Sequence, residues 1–347
     1  MRVVLDSDIL AYSCGFAVEK TVYDYITQDG EHGIATIREE IPEGAEFETI
    51  KEVEPWANAK YLVEKAIEGV RTEVERRIGR EYDLVLYLTG TGNFRESVAT
   101  IRGYKANREG MPKPHWYAAI RQHLVEDYGA IVVNGYEADD AVAMEAYAAG
   151  YDPNRCIIVS ADKDLMNVPA LIFNLKRKQW YDVSVKDAQV NFYRQLLSGD
   201  SVDNIAGCYK VGKGGAEKKI LPYMTEEAMY SICLNEYKLS TEKAECPYKD
   251  QDPEKVLLEN ANLLHLWRFP GDYWKPPHLR DTAPTSSGTL GEPSASELST
   301  KQSGSISTSQ KQAADAGPAE QKTSSVGRST SRTSRSARTS SSKRKAS

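Results

Sequence analysis

The sequence predicts an α/β fold in which a mainly parallel sheet carries helices on both faces, and three observations carry that prediction. Short apolar strands recur at residues 2–5, 84–88, 130–133 and 156–159, with helical stretches between them. Acidic residues stand just after the first, third and fourth of these strands, where ligands bind in open parallel sheets. No zinc, nucleotide or catalytic-triad motif competes with them.

Taken in order, the first strand, residues 2–5, runs into Asp6 and Asp8, and the acidic, Gly-containing stretch 19–55 reads as a hairpin or loop insertion without recognisable chemistry. Residues 56–78 and 138–149 carry apolar side chains at helical spacing, and residues 184–197 form a helix starting at Ser184. The third strand leads into GYEADD at 135–140, the fourth into SADKDL at 160–165, and the helix from 184 into GDSVDN at 199–204. Beyond 281 the chain is rich in Ser, Thr, Gly, Pro and Ala without an apolar period, which predicts a disordered tail. The expected division is a core over 1–198, a subdomain over 199–280 and the tail over 281–347.

The net charge is −6, and the tail holds ten Lys or Arg against five Asp or Glu, which leaves −11 on the body. An acidic body argues against a protein that merely coats DNA, since phosphate binding rests on Lys and Arg. It does not argue against a metal enzyme whose clustered carboxylates are neutralised by cations. Residues 322–347 carry eight Lys or Arg and no acid, a stretch that either holds nucleic acid nonspecifically or serves as a solubilising linker. Five cysteines without Cys-x-x-Cys indicate neither a disulfide framework nor a zinc site. With no apolar run of about 18 residues, the expectation is a soluble cytoplasmic protein without membrane contact.

Cleaving a phosphodiester requires an activated water, neutralised phosphoryl oxygens and a stabilised leaving oxygen, which two magnesium ions held by hard oxygen ligands supply. Glu137 and Asp140 are three residues apart at a helix start, and Asp162 and Asp164 share a face of extended chain. Asp200 and Asp203 repeat the three-residue spacing, where helix capping is the alternative. Each cluster alone reads as capping; together, with Asp139 and Asp6, they read as a metal centre. After the third cluster, IAGCYKVGKGGAEKKI at 205–220 has the pattern of a helix-hairpin-helix. Its Gly212, Gly214 and Gly215 would expose backbone amides to a phosphate, beside Lys210 and Lys213. Between 93 and 117, Arg95, Arg102, Lys105, Arg108 and Lys113 interleave with Tyr104, Trp116 and Tyr117, which suits a frayed single strand or a solvated basic helix.

These motifs identify a resemblance. VVLDSD, GYKANRE at 103–109, GYEADD, VSADKDL, GDSVDNIAG, the glycine hairpin and NLLHLWRF at 262–269 resemble the flap-endonuclease and 5′-exonuclease superfamily, most closely the 5′-to-3′ exonucleases of short-tailed bacteriophages, over residues 1–280. The resemblance implies a Rossmann-like (PIN/FEN-type) core with a helical arch over the active site and a C-terminal helix-hairpin-helix subdomain, and a magnesium-dependent 5′-to-3′ DNA exonuclease with flap-endonuclease and RNA-primer-removing activity, in phage DNA replication, recombination or host DNA degradation. It implies two magnesium ions, with manganese able to substitute, and a potassium ion at the hairpin. Substrates would be double-stranded DNA with 5′ ends or flaps and RNA–DNA hybrids, met by a monomer in the bacterial host cytoplasm. Asp6, Glu137, Asp139, Asp140 and Asp162 match ligands of the first ion; Asp162, Asp164, Asp200 and Asp203 match the region of the second. Asp162 thus serves both, and Lys105 and Arg108 match residues that engage the scissile phosphate. The family's aspartate after the second strand corresponds to Gly90 here, and either Asp8, two residues from Asp6 on the same face of an extended strand, or a water takes the place of that ligand. The competing readings are a ribonuclease on a related core and a catalytically silent DNA-end binder; the hairpin argues against the first, and Asp162 with Asp164 against the second.

Overall fold

The computed structural model describes residues 1–280, so the expectations for the tail 281–347 lie outside the described residues. Five strands run parallel: β1 (Arg2–Asp6), β5 (Asp83–Asn93), β6 (Ile131–Gly135), β7 (Cys156–Ser160) and β8 (Ala170–Asn174). An antiparallel edge strand, β9 (Gln179–Val183), completes the order β6-β5-β1-β7-β8-β9. β8 and β9 join through the exposed turn at residues 175–178, whose Lys-Arg-Lys run hid the hairpin from a reading of hydrophobic pattern.

Alternation along β1 shows why both faces are covered. Val3 and Leu5 point into one apolar layer with α1 (Asp8–Ala17), α2 (Trp56–Ile78) and α4 (Tyr117–Tyr128), while Val4 points into another with α5 (Ala138–Ala148). A third core joins α6 (Val185–Ser198), α7 (Lys213–Lys219), α8 (Glu226–Thr241) and α9 (Pro253–Leu264). Local chemistry starts three of these helices: Ser184, Thr225 and Asp252 each accept a backbone N–H with the side chain. Among the described residues, no helix is long and apolar enough to cross a membrane.

The hairpin or loop insertion read after α1 takes the hairpin form with one further strand, and the segment where an arch is implied departs from expectation. The acidic stretch after α1 is a separate antiparallel sheet of β2 (Glu19–Ile26), β3 (His32–Ala35) and β4 (Glu46–Val53), in the order β3-β2-β4. Where a helical arch is implied, the chain forms only α3 (Phe94–Val98), irregular backbone and a 3-10 turn at Ala106–Arg108. Pro112 and Pro114 follow that turn closely and cannot continue a helix, so the segment lies as a strap.

Candidate active site

The strand order reverses at β1, whose neighbours β5 and β7 lead away in opposite directions, and this opens a crevice at the carboxyl ends of the strands. Asp6 ends β1 there. The buried Ser160 hydroxyl, at the end of β7, donates to Asp6 Oδ2 at 3.1 Å and accepts from the Asp162 amide at 2.9 Å. Burial, and then the charges of Asp8 and Asp162, push the Asp6 carboxyl up to about 7. Asp8, at the head of α1, is held by Arg121 Nη1 at 2.7 Å and by the Thr89 amide at 3.1 Å.

Glu137 caps α5 beside the strap. The Tyr104 hydroxyl lies 2.7 Å from Glu137 Oε2 and 3.1 Å from Asp203 Oδ2, the Lys105 ammonium pairs with Glu137, and Arg108 Nη2 donates to Asp203 Oδ1 at 2.5 Å. Burial opposes ionisation of Glu137, but Lys105 and Arg95 outweigh it and hold the carboxyl below its ordinary value. Asp139 is pushed well up by burial and by its neighbours Asp140 and Glu137.

A third pair follows along the crevice. The Asp164 amide donates to Asp162 Oδ1 at 2.7 Å, and Gln195 Nε2 donates to Asp164 Oδ1 at 2.6 Å and Asp200 Oδ2 at 3.1 Å. The Lys163 ammonium also pairs with Asp200 and lies 3.3 Å from Asp164 Oδ1. Burial and Asp162 raise the Asp164 carboxyl, whereas Lys163 lowers Asp200 against its burial. At Asp203 burial prevails over Lys105 and Arg108, and the carboxyl is raised. The turn bearing Asp200 and Asp203 is pinned where Gly199 (φ +66°) and Gly207 (φ +61°) touch: a Cβ on Gly207 would lie 2.2 Å from the Gly199 nitrogen. Asp200 Oδ1 also accepts from the Val202 amide at 2.8 Å, but this closes a turn bridged by Asp200 and Ile205: the helix expected to start here, and with it the helix-capping alternative, is absent.

Eight of the nine acidic residues singled out from the sequence thus meet at this edge, in linked groups rather than one knot. Among the described residues, no three acidic, His or Cys side chains close into a metal cage; Lys105 bridges Glu137 and Asp203, and Lys163 bridges Asp164 and Asp200. Asp140 is the exception. Its carboxylate is fully buried and saturated by Arg95, the Trp267 amide and the Glu137 amide, which leaves no oxygen facing an ion. Arg95 was expected on DNA, but its guanidinium is sealed in the same interior. At Gly90, a Cβ would fall 2.3 Å from Asn134 Oδ1 and 2.5 Å from the Val133 carbonyl, so close packing of β5 on β6 excludes any carboxylate there.

The sequence reading passed over Ser160, Lys163, Gln195 and Arg121. The first two lie inside SADKDL and were legible as neighbours of acids; Gln195 and Arg121 reach the crevice only through tertiary folding. Of the expected DNA contacts, Arg102, Arg108, Lys210, Gly212, Lys213 and Gly214 are exposed, and Lys105 and Gly215 are half-buried. The first turn of α7 has no side-chain cap, and nothing packs against Gly212 or Gly214.

No family model matches the chain. It is similar to a 5′-3′ exonuclease of Buchnera aphidicola subsp. Schizaphis graminum, with 26% identity over 164 residues that cover 42% of this chain and 56% of the relative. A 5′-3′ exonuclease of Halalkalibacterium halodurans is 32% identical over 147 residues, 37% of this chain and 47% of the relative. The chain therefore spans about half the length of these curated relatives. A solved structure of T5 5′-exonuclease with bound divalent metal ions (zinc) aligns with TM-score 0.46 and 14% identity over 76% of this chain and 89% of that one. The relationship read from the motifs, to 5′-3′ exonucleases, is thus present in the sequence comparisons.

Proposed function

We propose that this chain is a metal-dependent nuclease that hydrolyses DNA from or near a 5′ end. The observation that carries the reading is the convergence of Asp6, Asp162, Asp164, Asp200, Asp203 and Glu137, from separate segments, along one strand-order crevice, linked through Ser160, Gln195, Tyr104 and Lys105. The names of the curated relatives support the same direction of attack.

The donor set fits hard divalent cations. Its oxygens are carboxylates, and Asp6, Asp139, Asp164 and Asp203 are each raised by burial, so their charged forms would gain from an ion brought among them. In this reading Asp6, Asp8, Glu137, Asp139 and Asp162 hold one magnesium ion, and Asp162, Asp164, Asp200 and Asp203 a second; manganese substitutes. Such ions, when bound, make a water nucleophilic at neutral pH and neutralise phosphoryl oxygens. The chain's own groups orient and screen. Ser160 fixes the relative aim of Asp6 and Asp162, and Lys105 and Arg108, already seated at the crevice, offer charge to a phosphate.

Residues 1–198 then form the catalytic core, and residues 199–280 grip duplex backbone through Lys210, Lys213 and the amides at Gly212, Gly214 and Gly215, with Arg102 on the strap and a potassium ion at the hairpin. The substrates are duplexes with 5′ ends or flaps and RNA–DNA hybrids, and the protein acts as a monomer in a bacterial cytoplasm, in phage replication, recombination or host DNA degradation.

Duplex DNA labelled separately at each end tests the reading. Label is expected to leave the 5′ side alone in magnesium, and to stay in chelator. Loss from the 3′ side, or loss that survives the chelator, would reject it.

A further inference from the structure

Among the described residues Arg95 is one of the largest fully buried side chains, and an unpaired guanidinium would not tolerate that position. Its fork meets both oxygens of Asp140, at 2.6 and 2.9 Å, while Nε donates to the Leu263 carbonyl at 2.9 Å and Nη2 to the His265 carbonyl at 3.0 Å. Asp140 in turn accepts from the Trp267 amide at 3.0 Å and the Glu137 amide at 3.1 Å. Phe94, the neighbour of Arg95, stacks on Trp267 with ring centroids 4.0 Å apart. A chain of contacts therefore runs from the segment after α9, through Arg95 and Asp140, to the backbone of Glu137. It also touches the Glu137 side chain, since Arg95 Nη1 lies 3.5 Å from Oε2.

Stability alone is a poor reason for this arrangement. A buried ion pair generally holds a fold no better than apolar side chains of similar volume would, whereas its fixed fork geometry specifies one arrangement of whatever it touches. What it touches here is the capping turn from which Glu137 and Asp139 project: the Asp140 carboxylate takes the Glu137 amide, and the Asp140 amide donates to Asp139 Oδ1 at 2.7 Å.

We propose that Arg95 and Asp140 are positioning residues through which the C-terminal segment 263–274 sets the placement of Glu137 and Asp139. The proposal rests on the reading of the crevice as a divalent-ion nuclease centre. It also gives the NLLHLWRF motif a role that reading leaves without one: the motif supplies the carbonyls and the amide that close the Arg95–Asp140 pair.

The test uses the full chain and manganese as the probe, with Mn²⁺ uptake read by electron paramagnetic resonance, folding by thermal melting, and duplex affinity measured in chelator. The double variant R95L/D140L removes the link without stranding a buried charge. It is expected to melt cooperatively, to bind duplex in chelator within twofold of wild type, and to bind Mn²⁺ about tenfold more weakly. A folded double variant with wild-type Mn²⁺ affinity overturns the proposal and leaves the nuclease reading standing; a wild-type chain that takes up no Mn²⁺ overturns both. If the double variant does not fold, W267A decides, because it keeps the ion pair and the backbone amide at 267 and removes the ring that packs on Phe94, Tyr136 and Tyr273. Its expected signature is faster amide exchange at residues 137–140 and about threefold weaker Mn²⁺ binding, and unchanged exchange and affinity would overturn the proposal.

Discussion

Two regions of the molecule are strongly acidic, and only one is built as a site. The β2-β3-β4 sheet carries Asp24, Glu46, Glu48 and Glu52 on well-solvated strands, and Asp24 stands directly opposite Glu48 across the ladder. Like charges so placed repel modestly and are relieved by water. At the crevice, Asp6, Glu137, Asp200 and Asp203 are buried, and each is gripped by a partner drawn from elsewhere in the chain. Acidic composition is therefore uninformative by itself. Burial with shared partners, which costs free energy unless something recovers it, is what marks the crevice.

The largest expected effect tests that distinction directly. Asp162→Asn with Asp164→Asn removes charge from the middle of the crevice, where Asp162 raises Asp6 on one side and Asp164 on the other. Losing several kcal/mol of charge stabilisation corresponds to about a thousandfold fall in magnesium-dependent release of 5′ label. Duplex affinity in chelator should hold or rise. A fall of less than about tenfold would place the chemistry elsewhere.

Next comes stability, because the crevice stands on the packed sheet and the acidic appendage does not. Leu5 is wholly buried beneath Asp6, whereas Ile50 on β4 is 41% exposed. Leu5→Ala should cost about 2–5 kcal/mol in chemical denaturation, and Ile50→Ala well under 1 kcal/mol. Equal costs would mean that the appendage is as integral to the core as β1 is.

The contrast also explains what could be read in the sequence. The parallel strands and the acids after them follow from period-two burial and from where strands end, so Asp6, Glu137, Asp162 and Asp164 were legible, whereas the basic and aromatic residues of 93–117 marked that segment without revealing its strap-like backbone. Asp140 was misread because its three-residue spacing from Glu137 fits a shared metal face as well as a capping box, and only the partner Arg95 decides between them. Arg95 was misread for the same reason: a cation beside aromatics looks alike on a surface and in an interior. Gln195 and Arg121 gave no signal, since a single polar residue on a helix acquires its role only from what the fold brings opposite it.

A smaller effect is expected at the strap. Lys105 meets Glu137 and lies 3.9 Å from Asp203, so Lys105→Met deprives the crevice of one positive charge that a phosphate would otherwise meet. Removing one such group costs on the order of a hundredfold in turnover. Because Glu137 then loses the cation that chiefly holds its carboxyl down, activity should also need a higher pH than in wild type. A pH–rate profile of unchanged shape would show that Lys105 serves the substrate alone.

The smallest effect belongs to the appendage, and its smallness is the point. Replacing Glu46, Glu48 and Glu52 with Gln removes three charges from solvated strand positions without touching the crevice. Stability should stay within about 0.5 kcal/mol per site, with any change favourable as the Asp24–Glu48 repulsion is lifted, and 5′ release should stay within about twofold at physiological salt. Should the triple variant instead gain duplex affinity that disappears at high salt, the sheet would lie near enough to the nucleic acid to repel it. The two acidic regions would then act on one substrate, the crevice by holding ions against it and the sheet by limiting where it can lie.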